Sequence, residues 1–282
     1  CPAPDGSTSS TASGAVWQRQ HYQLKQLLRH AAETVPHYRE ALRGMDIDRL
    51  EWPAFRSLPI LKRQALQENF TSLCCTRVPP SHGAVTEGRT SGSTGMPVSF
   101  QQTAATQHFW NALTLREHLW QGRDFAGKLA AIRVKVEEER WPDWGAPAAQ
   151  VFKTGPGATL NVRTDVEAQL DWLVREDPDY LITHASNLAA LAELTLRRGA
   201  RLPRLRTART YSEALRPGLR EVVRAAWDVD VADVYSCEEA GYIALQCRRH
   251  EHYHVQSENL LVEILDEVGR PCAPGETGRV VI

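Results

Sequence analysis

No apolar run in this chain approaches the ~18 residues that a bilayer-crossing helix needs, so nothing in it spans a membrane. A surplus of either charge is missing too: Lys+Arg 33 against Asp+Glu 34 leaves a net charge of −1. That balance excludes nucleic acid or an anionic membrane surface as the main partner. Cysteine is scarce, with six at irregular spacing (1, 74, 75, 237, 247 and 272). Such usage excludes a disulfide framework and predicts reduced thiols and a cytoplasmic location. Internal repeats are absent, and low complexity is confined to the first sixteen residues, "CPAPDGSTSSTASGAV". That stretch is expected to be a flexible lead-in, residues 1–16, with Cys1 marking a boundary rather than a lipidated residue.

What is present is ordinary for an enzyme-sized protein: 282 residues, 42% hydrophobic and 24% charged, enough for one large or two smaller domains. From Trp17, Leu24, Leu27, Leu28 and Ala31 recur at helical spacing until Pro36. Val98–Phe100 predicts a strand, 103–120 a long helix, and "KLAAIRVKV" (128–136) a strand. Beyond residue 165 helices and strands alternate: helix 165–175, strand 180–183, helix 187–198, strand 206–210, helix 217–227 and strand 229–234. This alternation predicts an α/β fold, with mixed or parallel sheets covered by helices on both faces. The tail changes to short strands and turns. The expected division is a core over 17–245 and a β-rich subdomain over 246–282.

The stretch "RTSGSTGMPVSF" (89–100) sets hydroxyl residues among glycines ahead of a strand. A backbone that bare can present N–H and O–H donors to a phosphate together, or it is a solvated turn. It is not the P-loop of the nucleotide triphosphatases, because it has no lysine and no helix follows. Its order, "TSGSTGMP", resembles the phosphate-binding loop of the adenylate-forming acyl-CoA synthetases and ligases, with Met96 where lysine is usual. Four further segments are similar to the phenylacetate–CoA ligase branch: "HYQLKQLLRHAAETVPHYREAL", "PDYLITHASNLAALAEL", "RTARTYSEALRPGLREVVRAAW" and "VDVADVYSCEEAGYIALQC". The tail from His254 resembles that branch's β-rich module, so the likeness runs from about residue 20 to 282.

That resemblance implies the large N-terminal portion of an adenylate-forming enzyme. ATP would activate a carboxylic acid, aromatic by the branch, to acyl-AMP, and a thiol from CoA or a carrier protein's phosphopantetheine arm would take the acyl group. It places the phosphates on Thr90, Ser91, Gly92, Ser93, Thr94 and Gly95, with Thr94 and Glu239 catalytic and Glu239 holding Mg2+. Adenine falls to Ser212, Glu213, Asp233 and Tyr235, and the acid to His184, Ala185, Ser186, Gly241 and Tyr242. Ser236 and Glu238 depart from the motif around Glu239; the competing readings are a strand-end core tyrosine for Tyr235 and a solvated pair for Glu238 and Glu239. The family's ribose-binding aspartate, hinge and catalytic lysine come later than the segments matched here and are not assigned. A homodimer is compatible with the chain. The competing reading is a nucleotide- or acyl-binding module that does not turn over.

One cluster stands apart from this. "CRRHEHYH" sets Cys247, His250, His252 and His254 within eight residues, with Cys237 ten earlier. Thiolate and imidazole suit Zn2+, and the branch's Cys with a His seven residues on is reproduced by Cys247 and His254. A histidine-rich turn over a core cysteine fits the same letters, since 250, 252 and 254 share one strand face.

Overall fold

The computed structural model describes residues 9–90 and 96–282, with side chains from Gly14 onward. Five helices come first: α1 (Ser9–Thr34), α2 (Pro36–Ala41), α3 (Trp52–Arg56), α4 (Arg63–Glu68) and α5 (Phe70–Leu73). A hairpin of β1 (Val85–Arg89) and β2 (Ser99–Thr103) leads into α6 (Ala104–Trp120). Then follow β3 (Leu129–Arg133), β4 (Glu139–Trp141), α7 (Ala146–Ala149), β5 (Gly157–Asn161), α8 (Val166–Glu176) and β6 (Tyr180–His184). The chain continues through α9 (Ala185–Arg198), β7 (Thr207–Tyr211), α10 (Leu219–Trp227) and β8 (Asp230–Cys237). Four short strands complete it: β9 (Gly241–Gln246), β10 (Tyr253–Val255), β11 (Glu263–Leu265) and β12 (Arg279–Val281). No helix among the described residues is long and apolar enough to cross a membrane.

Contacts divide the described residues into two compact units. The first holds the residues up to His108 with Glu238–Ala240 and Val255–Ile282. Its core is the inner stripe of α1, where Leu28 and Ala31 bury with Val35, just past the helix, and with Leu42 and Leu50. Leu27, expected among the apolar positions of that helix, is 62% exposed. It lies off the stripe running Leu24, Leu28, Ala31 and Val35, spaced by four, three and four residues. The helix begins at Ser9, inside the stretch expected as a flexible lead-in. With no proline between Pro4 and Pro36, each residue added to a formed helix gains a hydrogen bond at small cost. Within this unit Gln20 donates to the carbonyls of Ser257 and Leu260, and β11 pairs antiparallel with β12.

The second unit holds Phe109–Cys237 and Gly241–His254. Its sheet has the order β10-β9-β8-β7-β6-β3-β5-β4. The central strands β5, β3, β6, β7 and β8 are parallel, and β4 and β9 join antiparallel. Ala130, Ile132, Leu181 and Ala208 alternate onto one face and bury against Leu170, Leu173, Leu188 and Leu191 of α8 and α9. Each leucine buried there contributes roughly 2 kcal/mol. The opposite face packs Val234, Tyr242 and Leu245 against Leu113 of α6. Helix α10 starts at Leu219 rather than at Pro217, because Gly218, at φ 82°, is its N-cap and turns the chain in a way that favours glycine.

Candidate functional site

Parallel strands of an α/β sheet leave a crevice outside their carboxyl ends. In the second unit those ends carry Arg133 on β3, His184 on β6, Tyr211 on β7 and Tyr235 near the end of β8. The register sets His184 beside Tyr211 and Tyr211 beside Val234. The rings of His184 and Tyr211 lie 4.7 Å apart between centroids, and the Tyr211 hydroxyl is 3.5 Å from His184 Nε2. Burial raises the Tyr211 pKa, with Arg133 and Arg209 opposing, so its hydroxyl keeps its proton at neutral pH.

After β6 there is no loop: His184 is the N-cap of α9 but bonds no amide of the first turn. The missing cap comes from the neighbouring strand. Glu213 accepts from the Ser186 amide at 2.7 Å and from the Ser186 hydroxyl at 3.0 Å. Between Tyr211 and Glu213 the backbone passes through Ser212 at φ 64°, a left-handed conformation that costs a non-glycine residue about 1–2 kcal/mol. The structure thus brings together Ser186, expected at the acid, and Ser212 and Glu213, expected at adenine. Ala185 is buried in the first turn of α9.

Other expected positions separate. Tyr235 is 45% exposed, an open aromatic face rather than a core tyrosine. Two residues back on the same side of β8, Asp233 is buried and accepts from Thr210 Oγ1 and the Tyr253 hydroxyl, one on each carboxylate oxygen. Its side chain is therefore committed internally rather than presented to a base. Burial, followed by Asp233, drives the Tyr253 pKa upward. Gly241 opens β9 at φ 83°. Tyr242, expected to line the acid pocket, is 1% exposed. Every residue of β9 after Gly241 is buried, because α6 covers one face of this strand while the sheet continues around it.

The Tyr242 hydroxyl instead belongs to a buried ionic group that the sequence did not reveal. It accepts from Arg209 Nη2 at 2.7 Å and lies 2.9 Å from Thr114 Oγ1. Glu117 Oε2 pairs with Arg123 at 2.5 Å and with Arg209 at 3.3 Å. Burial pushes Glu117 up, but the arginines outweigh it and hold its pKa at about 2. Arg123 Nη1 lies 3.1 Å from His118 Nδ1; a guanidinium only donates, so that nitrogen is unprotonated. Burial, then Arg123, lowers the His118 pKa to about 3. Among the described residues Glu117 Oε1, Arg123 Nη2 and Arg209 Nε have no partner. A hint lay in Glu117, a lone acid at a position that the α6 periodicity turns inward.

In the first unit, Ser91, Gly92, Ser93, Thr94 and Gly95 lie outside the described residues. The neck around them is tight: the Thr90 amide donates to the Val98 carbonyl at 3.0 Å, and Thr90 Oγ1 accepts from the Val98 amide at 2.9 Å. Gln67 holds the Met96 carbonyl at 2.6 Å. Gln102, on β2 of the same hairpin, donates to the Glu238 carbonyl at 2.9 Å. The turn bearing Glu238 and Glu239 is thereby fixed to the strand that leads out of the loop, about 13 Å of strand from its neck.

Of the five expected zinc ligands, three converge. One ligand atom from each of Cys247, His252 and His254 lies within 4.8 Å of the others, and the Nε2 atoms of the two histidines are 3.2 Å apart. Two tetrahedral Zn–N bonds put their nitrogens about 3.3 Å apart, so the donor set fits. A bond from the Cys247 amide to the His252 carbonyl closes the segment. His250 stacks on the His252 ring at 5.4 Å and is not in the group; neither is Cys237.

No family model matches the chain, and no curated protein matches it in sequence. Solved structures do match. A 2-hydroxyisobutyryl-CoA ligase with 2-HIB-AMP and CoA, in the thioesterification state, is similar over 97% of this chain and 60% of its own, with TM-score 0.74 and 18% identity. The open conformation of that ligase gives 92% and 63%, TM-score 0.73 and 18% identity. An anthranilate CoA ligase, AuaEII, with anthranoyl-AMP covers 69% and 38%, at TM-score 0.55 and 18% identity. The chain spans about three fifths of the length of the 2-hydroxyisobutyryl-CoA ligase structures it matches. The phenylacetate branch is not singled out among them. Over most of its length the chain has the mixed α/β fold of these CoA-ligase structures.

Proposed function

We propose that this chain takes part in ATP-dependent activation of a carboxylic acid to an acyl-adenylate, followed by transfer of the acyl group to a thiol. The reading is carried by the bond from Gln102 to the Glu238 carbonyl, which ties the Glu239 turn to the hairpin bearing "TSGSTG". In this reading the Thr90–Gly95 amides and hydroxyls hold the ATP phosphates, with Thr94 counted among the catalytic residues. Glu239 holds Mg2+, which supplies positive charge against the phosphate oxygens. Tyr235 offers its exposed ring to adenine; such stacking is worth about 1–3 kcal/mol. Ser212 and Glu213 meet adenine through their backbone, since the Glu213 carboxylate is occupied by α9. The acid lies at His184, Ala185 and Ser186. These groups position the carboxylate and offset charge rather than exchange protons. The acceptor is CoA, or the phosphopantetheine arm of a carrier protein.

Calorimetry with Mg2+–ATP tests this directly. One site per chain is expected, weakened at least tenfold by Glu239→Gln; no heat with millimolar ATP or AMP overturns it. A second reading, a module that binds nucleotide without turnover, is favoured by Met96 at the position where the resemblance has lysine. Binding without pyrophosphate exchange, for any acid tried, would establish that alternative. Independently, we propose that Cys247, His252 and His254 hold a structural Zn2+, on the strength of their convergence.

A further inference from the structure

We infer that the acid recognised at this site carries a second oxygen function, a hydroxyl or a carboxylate, held by Tyr211 and His184 and favoured by Arg133. This rests on the function proposed above and names its substrate class. Three observations bear on it. The Tyr211 hydroxyl and His184 Nε2 stand 3.5 Å apart, longer than a good hydrogen bond between them but spaced so that one oxygen can reach both at ordinary distances. A phenol and an imidazole each donate or accept, and an oxygen substituent answers both, whereas a hydrogen or methyl answers neither. Next, Arg133 ends the adjacent strand with its guanidinium exposed and in no hydrogen bond or ion pair among the described residues, and its charge acts on Tyr211. A cation there favours an electron-rich or anionic group.

The third observation is what does not line this position. Tyr242 is withdrawn into the core, where its hydroxyl is bound by Arg209. Behind Tyr211, on the same side of β7, Arg209 carries a buried Nε without a partner among the described residues. The ring of Tyr211 packs against the apolar cluster of Leu113, Val234, Tyr242 and Leu245, so the polar groups at these strand ends are its hydroxyl, His184 and Arg133. A site that makes hydrogen bonds to a substrate oxygen rejects the analogue lacking it far more strongly than an apolar slot rejects a missing methylene, because the site's own polar groups are left unpaired.

The test compares non-hydrolysable acyl-sulfamoyl adenosines by calorimetry, which needs no turnover. The probes are paired: 2-hydroxybenzoyl against benzoyl, 2-hydroxyisobutyryl against isobutyryl, and succinyl against butyryl, with 5′-sulfamoyl adenosine as the control. At least one oxygenated probe should bind tenfold or more tightly than its partner, and Tyr211→Phe should reduce that ratio to within threefold while leaving the control unchanged. Equal affinity within all three pairs in the unaltered chain overturns the inference while the proposed function stands, so the result does not depend on the variant folding. If neither the probes nor the control binds, the proposed function fails and this inference with it. The hydroxyl and succinyl arms decide which oxygen function is read.

Discussion

The carboxylate of Glu213 accepts both the amide and the hydroxyl of Ser186, so the turn after β7 supplies the cap that α9 cannot supply for itself. His184 occupies the cap position but bonds no first-turn amide. A carboxylate at a helix N-terminus is favoured by the unpaired N–H groups and by the helix dipole. The same contact fixes the strained Ser212 between two strand ends, so helix stability and site geometry share one side chain.

Removing that carboxylate should be felt in both. Glu213→Ala is expected to cost about 1 kcal/mol in urea unfolding, within the range for a lost cap, and to weaken adenylate-analogue binding. Glu213→Gln, which keeps one acceptor for the Ser186 amide, should retain most of the stability. Equal losses in Ala and Gln would show that charge, not the bond, matters.

Acid should destabilise the chain earlier than carboxylates alone would bring about. His118 is neutral when folded, its pKa held at about 3 by burial and Arg123, whereas an unfolded histidine titrates near 6.5. The unfolded state therefore binds an extra proton below pH 6.5, and stability falls as pH drops from there toward 3. Glu117, at about 2, contributes stability that is present above its unfolded pKa near 4.5 and lost as pH falls toward 2. From pH 7 to 5 His118 dominates over Glu117, with a loss on the order of 2 kcal/mol, and His254, its pKa lowered chiefly by burial, adds in the same direction. Urea midpoints across that window should decline in the parent and decline much less in His118→Gln; a parent profile level from 7 to 5 would refute the assignment.

How far the sequence carries is visible residue by residue. The switch from period two to helical spacing within "YLITHASNLAAL" made β6 and α9 legible; the resemblance singled out Ser212–Glu213, and donor type and spacing singled out Cys247 and His254, whose ligand atoms do converge with those of His252. Tyr242 was not. Both faces of β9 are buried, so alternation carried no information on which side faced a ligand. Arg133 and Tyr211 went unnoticed because only the register across β3, β6 and β7 makes strand ends into neighbours. The partners of Asp233 are hidden for a related reason: Thr210 and Tyr253 come from the strand before it and from β10, and no local pattern announces them.

Zinc at Cys247, His252 and His254 makes a quantitative prediction. Chelator-washed, metal-reloaded protein should carry one zinc per chain, and Cys247→Ser should carry less than a tenth of that. Because such a site binds only the folded chain, its metal adds to stability, so chelator should lower the melting temperature of the parent and leave the Cys247→Ser variant unmoved. Stoichiometry well below one in the parent would mean that the three side chains are a histidine turn over a core thiol.

The buried ionic group gives the sharpest energetic contrast. Tyr242→Phe keeps the packing of the ring but takes away the oxygen that accepts from Arg209 Nη2. A buried guanidinium already lacking a partner at Nε would lose another, at a cost of about 1–3 kcal/mol. Arg209→Met alone leaves Glu117 still paired with Arg123, though with half its opposing charge removed, and should cost about 3 kcal/mol or more. In the double variant the Tyr242 penalty disappears, because no guanidinium remains to be left unpaired. Denaturation of the two singles and the double should therefore return a coupling of about 1 kcal/mol or more; strict additivity would mean that the hydroxyl and the guanidinium do not depend on each other.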